Sequence, residues 1–202
     1  MFEKVQEVPT IPMPIQDLII TEAQIMAQAN NLPLIGVNHF LAHIYGAFLD
    51  GAMAVLQNEN TYPMLALVVS GGHSHLVRVN DYGDYTLLGQ TVDDAAGEAF
   101  DKAAKLLSLG YPGGPVIDRI AREWRSGSAS LIPFPQSRPR EGTSALCGLP
   151  AELCVSFSGL KTSLLRYVQL NGGSEKLAAA GEIPRIVASY QEAIVDAVAD
   201  RT

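Results

Sequence analysis

Cysteine is scarce in this sequence, with only Cys147 and Cys154 among 202 residues. No second Cys or His pair stands at a matching spacing, which excludes a closed structural zinc knuckle. The N-terminus does not read as a secretory leader, so free thiols in a reducing, cytoplasmic compartment are the expectation. Basic residues are also in deficit: 14 Lys and Arg stand against 21 Asp and Glu, for a net charge of −7. A protein that binds nucleic acid unaided carries a basic footprint, so any such binding here calls for a local patch or a basic partner. Long apolar runs are missing, none approaching the ~18 residues of a membrane-spanning helix, and no membrane partner is expected. There is no Walker-type P-loop, no nucleophile elbow and no Cys–His pair at a usable spacing, so nothing argues for a covalent intermediate.

What is present is an apolar fraction of 48%, enough for one large or two small cores. Residues 1–14 are Pro-rich, weakly patterned and read as irregular. Ile15 to Asn30 predicts a helix, with Ile15, Leu18, Ile19, Ala23, Met26 and Ala27 recurring near a period of 3.6 and Asn30-Asn31 stopping it. Leu32–Val37 predicts a short apolar strand. Asn38 is placed to cap a following helix that carries His39 and His43. Met64–Val69 is a continuous apolar run, as expected of a strand buried on both faces. Ser70-Gly71-Gly72 turns the chain into an alternating strand from His73 to Val79, and Asp81–Asp84 turns it again into a third strand from Tyr85. Residues 62–90 thus read as a β-meander.

The meander feeds an acidic stretch, Thr91–Lys102. Thr91, Asp93 or Asp94 is expected to cap a helix there, with Asp94, Glu98 and Asp101 on one face. Gly97 in that face admits another backbone or a ligand. Gly113-Gly114-Pro115 is then expected to open a second helix with Pro115 at its first position, a place for an anion or a ribose. A Gly/Ser/Pro/Arg-rich region at about 126–150 is too long for an ordinary connection. Cys154–Phe157 returns to strand character, Ser158-Gly159-Leu160-Lys161-Thr162 starts a helix to about Leu170, and Ile183–Thr202 is amphipathic. No internal repeat is seen.

Three stretches bear on chemistry, each with a plain structural alternative. His39 and His43, four apart on a helix, point the same way and suit a metal ion; they also suit two ordinary polar helix residues. Ser70-Gly71-Gly72 offers backbone N–H groups to a phosphate, or is a common hairpin turn flanked by His73 and His75. Lys161 at a helix start can meet phosphate, or belongs to a simple capped helix.

Taken in order, Asn38-His39-Phe40-Leu41-Ala42-His43, Val68-Val69-Ser70-Gly71-Gly72-His73, Asp93–Lys102, Tyr111-Pro112-Gly113-Gly114-Pro115 and Phe157-Ser158-Gly159-Leu160-Lys161-Thr162 closely resemble the tRNA adenosine threonylcarbamoyltransferase family, the bacterial TsaD group formerly called glycoproteases. The resemblance runs from about residue 15 to the end. It implies an α/β fold of the two-lobed actin-like ATPase and sugar-kinase type, built of ribonuclease H-like lobes. Residues 15–60 would be a remnant of the N-terminal lobe with the metal-binding helix. Residues 61–202 would form a central and C-terminal lobe with the nucleotide-binding meander. The implied reaction moves a threonylcarbamoyl group from threonylcarbamoyl-AMP to the exocyclic amine of the tRNA adenosine beside the anticodon. His39 and His43 would be two ligands of one divalent ion, iron or zinc. Val68, Val69, Ser70, Gly71 and Gly72 would line the adenylate site, and Asp101, Gly114 and Asp118 would hold its ribose and neighbouring groups. Implied partners are tRNA, a smaller paralogous subunit and a P-loop ATPase.

Two departures from the family pattern stand out. Leu41-Ala42 occupies a place where many bacterial members have Glu-Gly, which removes a carboxylate that would orient a ligand. Most of the family's N-terminal lobe is absent, and the family's adenine-contacting Asn and third metal ligand, an Asp, would fall beyond Thr202. A non-catalytic nucleotide- or partner-binding fragment is therefore the alternative. A peptidase lacks support without a His-Glu-x-x-His pattern, and related sugar or acetate kinases lack the paired histidines beside the acidic block.

Overall fold

The computed structural model describes residues 14–124, 130–135 and 148–201, with residues 14–21 and 59 given as backbone alone. Of the segment expected to be irregular at 1–14, residues 1–13 lie outside the described residues, as do Cys147 and much of the 126–150 region, while Pro14 opens the first helix. The chain divides into two compact units, with the boundary between Leu49 and Asp50.

In the first unit, α1 spans Pro14–Ala29. Its stop is an Asn31 in the left-handed region at φ 52. The Leu32 amide donates to Ala27 O at 2.9 Å and the Asn31 amide to Gln28 O at 3.2 Å, the paired bonds of a Schellman closure. Met26, placed on the apolar stripe by periodicity, is exposed. The strand expected at 32–37 does not form: the segment has no regular structure, and Ile35 and Val37 are exposed. An apolar run becomes a strand only when a second strand takes up its ladder of N–H and C=O groups, and none of the described residues does so. Helix α2, His39–Gly46, is capped as its sequence predicts, with Asn38 Oδ1 accepting from the Phe40 amide at 2.9 Å and the Leu41 amide at 3.1 Å.

The second unit holds an antiparallel sheet in the order β1-β2-β3, formed by Met64–Val69, Ser74–Asp81 and Asp84–Gln90. The meander read from sequence is therefore present. Its burial is not as expected. β1 lies at the edge of the described sheet, and Leu65, Leu67 and Val69 are 51%, 44% and 48% exposed. The strand with buried residues on both faces is the central β2, through Ser74 and Leu76 on one side and Val77 and Val79 on the other. An apolar composition states how much a strand can bury, while its place in the sheet decides how much it does. Past β3 the chain makes one parallel bridge, Thr91 to Val155, in place of the strand expected at Cys154–Phe157. Gly89 makes room for this crossing: a Cβ there would lie 1.9 Å from Leu153 O.

Among the described residues, the unit's α-helices are α3 (Ala96–Leu106), α4 (Gly113–Trp124), α5 (Ser158–Leu170), α6 (Ser174–Ala179) and α7 (Ile183–Ala199). Of these, α6 has no counterpart in the sequence reading. The core joins the alanine face of α3 (Ala99, Ala103, Ala104) to Ile117 and Ala121 of α4, Leu160 and Leu164 of α5, and Ile186, Val187, Tyr190 and Ile194 of α7. Small side chains on α3 allow its neighbours to approach at interior packing density. Within the 126–150 region, residues 130–135 lie against α5 and α7. The Ile132 amide donates to Ser189 Oγ at 2.9 Å, and Phe134 meets the rings of Tyr167 and Tyr190 edge-on. Cys154 is buried.

Candidate functional site

On α2 the four-residue spacing brings the two imidazoles together. The Nε2 atoms of His39 and His43 lie 3.1 Å apart, with ring centroids at 4.6 Å and planes at 79°, and both residues are exposed. Two nitrogens sharing a tetrahedral zinc at ordinary bond lengths would stand about 3.3 Å apart. The donor pair therefore fits a divalent ion when both rings carry their proton on Nδ1. Leu41 and Ala42 supply no carboxylate between the two rings.

The second cluster is built around the start of α3. The Ser70-Gly71-Gly72 turn closes on itself through Ser70 N–H to His73 O at 2.8 Å and His73 N–H to Ser70 Oγ at 3.1 Å. Its other face rests on α3. The Gly97 amide donates to Ser70 O at 3.2 Å, and a Cβ on Gly97 would sit 2.6 Å from Gly71 Cα. Gly97 thus admits a backbone, as its place in the sequence suggests. A Cβ at Gly71 or Gly72 would meet open space. Of the preceding strand, Val68 is buried and Val69 exposed.

The cap of α3 differs from the expected one. The helix begins at Ala96 with Ala95 as its N-cap and no capping side chain of its own stretch. The Ala96 amide donates instead to Ser74 Oγ at 2.9 Å, a partner 22 residues upstream. Thr91 Oγ1 donates to Asp94 O at 2.5 Å, which closes the turn into the helix. Asp94 therefore precedes the helix rather than sharing a helical face with Glu98 and Asp101. Its carboxylate takes Lys102 Nζ at 2.6 Å and Lys161 Nζ at 3.2 Å, and Lys102 also holds Glu98 at 2.8 Å. Burial pushes the Asp94 carboxyl up, but hydrogen bonds and charge from the two lysines outweigh it and hold the group below the usual carboxylate range. Lys102 is raised in turn by its bonds to Asp94 and Glu98. Burial, with a smaller contribution from the Asp94 charge, pushes the Tyr190 phenol up. His75 is lowered by burial and then by the charge of His73, whose ring centroid lies 5.2 Å away.

Asp93 reaches across the chain. Its carboxylate accepts from Ser156 Oγ, from the Phe157 amide at 2.8 Å and from the Ser158 amide at 3.4 Å, so an acidic side chain from the α3 entry sits on the N-terminus of α5. Lys161, placed by sequence where it could meet phosphate, meets Asp94. These ties escaped the sequence reading. The signal for them was a pair of carboxylates before one helix and a lysine at the start of another.

Asp101 accepts the Gly113 amide at 2.7 Å, which joins α3 to the start of α4. Helix α4 begins at Gly113, so Pro115 is its third residue, not its first as expected. Gly113 is a packing glycine, since a Cβ there would lie 2.6 Å from Phe100 O and 2.7 Å from Asp101 Cα. A Cβ at Gly114 would meet open space. Asp118 lies one turn further along α4, where its carboxylate pairs with Arg122 at 2.7 Å and accepts from Gln191 Nε2 at 3.2 Å. A hydrogen bond from Gly97 to Ser70 and the close approach of Gly97 to Gly71 thus bring these three together, a second bond joins Asp101 to the Gly113-Gly114 turn, and Asp118 is tied toward α7.

Comparison with known proteins gives this arrangement a context. The family model for tRNA N6-adenosine threonylcarbamoyltransferase matches residues 19–202. A protein of that name from Syntrophus aciditrophicus is 45% identical over 183 residues, covering 91% of this chain and 47% of its own length. One from Anaeromyxobacter dehalogenans is 46% identical over 182 residues, covering 90% and 48%. A third, from Trichodesmium erythraeum, is 44% identical over 184 residues, covering 90% and 53%. The chain spans about half the length of the curated relatives it matches. With its histidine helix, glycine turn and acidic helix start all inside the matched region, the chain belongs to the tRNA N6-adenosine threonylcarbamoyltransferase family.

Proposed function

We propose that this chain contributes the adenylate pocket and two metal-ligating histidines to an enzyme that transfers threonylcarbamoyl from threonylcarbamoyl-AMP to the exocyclic amine of the tRNA adenosine beside the anticodon. The observation that carries the reading is the seating of the Ser70-Gly71-Gly72 turn on the N-terminal turn of α3, with Asp101 of the same helix fixing the Gly113-Gly114 turn. Val68 to Gly72 would line the nucleotide and offer amides to its phosphate. Asp101, Gly114 and Asp118 would border the ribose, carboxylates accepting from sugar hydroxyls and the open Gly114 allowing close approach. In the reaction the amine nitrogen bonds to the carbamoyl carbon, the bond from that carbon to the AMP phosphate oxygen breaks, and the amine gives up a proton. No protein nucleophile is required. His39 and His43 would hold a divalent ion, iron or zinc, which would supply Lewis-acid polarisation of the carbonyl.

The wider reading follows from membership of the family. The lobes would be of the actin-like type, with residues 15–60 belonging to the first and 61–202 to the second. The site of action would be the cytoplasm, and no described helix is long and apolar enough to cross a membrane. A net charge of −7 favours tRNA binding shared with other chains, here the smaller paralogous subunit and the P-loop ATPase. The test is reconstitution of the chain with both partners, threonylcarbamoyl-AMP and tRNA, reading the modified adenosine by mass spectrometry. Transfer that is lost in His39→Ala and His43→Ala is the expected result. AMP binding without any transfer would leave a nucleotide-binding module and overturn the catalytic reading.

A further inference from the structure

Two motifs have no part in the chemistry above: the Asp93-Asp94 pair and the Ser158–Thr162 helix start. The structure joins them. Asp94 binds Lys102 through one carboxylate oxygen and Lys161 through the other, and Asp93 caps α5 from the adjacent position. Asp94 is also two residues from Ala96 and three from Gly97. Those two amides are the ones that bond to Ser74 Oγ and Ser70 O, at either end of the glycine turn. The fit there is close enough that a Cβ on Gly97 would reach 2.6 Å from Gly71 Cα. Moving Asp94 moves the first turn of α3, and the first turn of α3 is the surface on which Gly71 rests.

We propose that Asp94 is a positioning residue for the Ser70–Gly72 turn: its two lysine pairs lock the entry of α3 against α5, and that lock sets the turn in the geometry that receives a nucleotide. The proposal rests on the nucleotide site proposed above. Glu98 shares Lys102, but that pair is made within α3 and does not reach α5, and Glu98→Gln serves as the control.

The test is AMP affinity by titration calorimetry, with folding of each variant checked by thermal melting. Asp94→Asn keeps the shape and loses the charge. It is expected to weaken AMP binding by about twofold to thirtyfold, the range seen for coupling through packed networks, while it stays folded at the assay temperature. Asp94→Glu, which restores the carboxylate, is expected to recover part of that loss, and Glu98→Gln to bind as the unaltered chain does. A purely structural role would lower the melting temperature of Asp94→Asn and leave AMP affinity within twofold, which overturns the proposal while leaving the nucleotide site standing. Failure of the unaltered chain to bind AMP overturns both. Should Asp94→Asn not fold, Lys161→Met, which keeps the Asp94–Lys102 pair, decides by the same twofold criterion.

Discussion

Helices α2 and α3 both present ionisable groups four residues apart, and they use the spacing in opposite ways. On α2 the pair His39–His43 is exposed, made within one turn and capped by the residue immediately before the helix. On α3 the pair Glu98–Lys102 is one edge of a network whose other members come from before the helix and from α5, and the cap is Ser74, brought in from β2. The first arrangement needs little beyond its own segment. The second exists only when β2, α3 and α5 have already met. A site on α2 is thus separable from the fold, whereas a site at the start of α3 and the fold stand or fall together.

The comparison breaks most sharply at the glycines. Gly97→Ala and Gly113→Ala each force a Cβ to within 2.6 Å of backbone atoms, and a loss of about 1–3 kcal/mol in urea-denaturation stability is expected for each, as for other overpacked positions. Gly114→Ala, one residue from Gly113 and facing open space, is expected to leave stability unchanged or raise it by up to ~1 kcal/mol through helix propensity. Equal losses at Gly113 and Gly114 would refute this distinction. Next comes Asp93→Ala, which strips an acceptor from the Ser156 hydroxyl and from the Phe157 and Ser158 amides at the start of α5 and should cost about 1–3 kcal/mol. The local counterpart, Asn38→Ala on α2, should cost ~1 kcal/mol in the unit that contains it, with slope and midpoint of the second unit's transition unmoved.

The smallest expected effect is that of pH. Asp94 is depressed in the folded chain, so its stabilising contribution is complete above its unfolded pKa of about 3.9 and is lost as pH falls through the lower folded value. Lys102 is raised, so its contribution is complete below its unfolded pKa of about 10.4 and is lost as pH rises through the higher folded value. Denaturation midpoints measured in acid and in alkali should fall at both ends for the unaltered chain. Asp94→Asn should flatten both limbs, and an unchanged profile in that variant would show that the network carries no linkage.

The same contrast explains what was legible in the sequence. The cap at Asn38, the meander, the break at Ser70–Gly72 and the buried stripe Ile183, Ile186, Val187, Tyr190, Ile194 on α7 follow from short-range periodicity and turn chemistry, and they were readable. The segment 32–37, read as a strand, and β1, read as buried on both faces, depend on what lies beside them, which composition does not state. Placing Asp94 on a helical face failed for a related reason. The helix-forming alanines fixed that a helix exists, but Ser74, 22 residues before Ala96, and Lys102 and Lys161, 8 and 67 residues after Asp94, fixed where it starts and where the carboxylate points. Order along the chain identified the motifs, while distance along the chain hid their contacts.

The most direct test of the central claim, that a nucleotide lies on the Ser70–Gly72 turn beside the starts of α3 and α4, is amide hydrogen exchange of the chain with and without saturating AMP. The account predicts added protection at residues 70–73, 96–98 and 113–115 and none at α6. Protection confined to other segments, or an unchanged exchange pattern with AMP demonstrably bound, would contradict it.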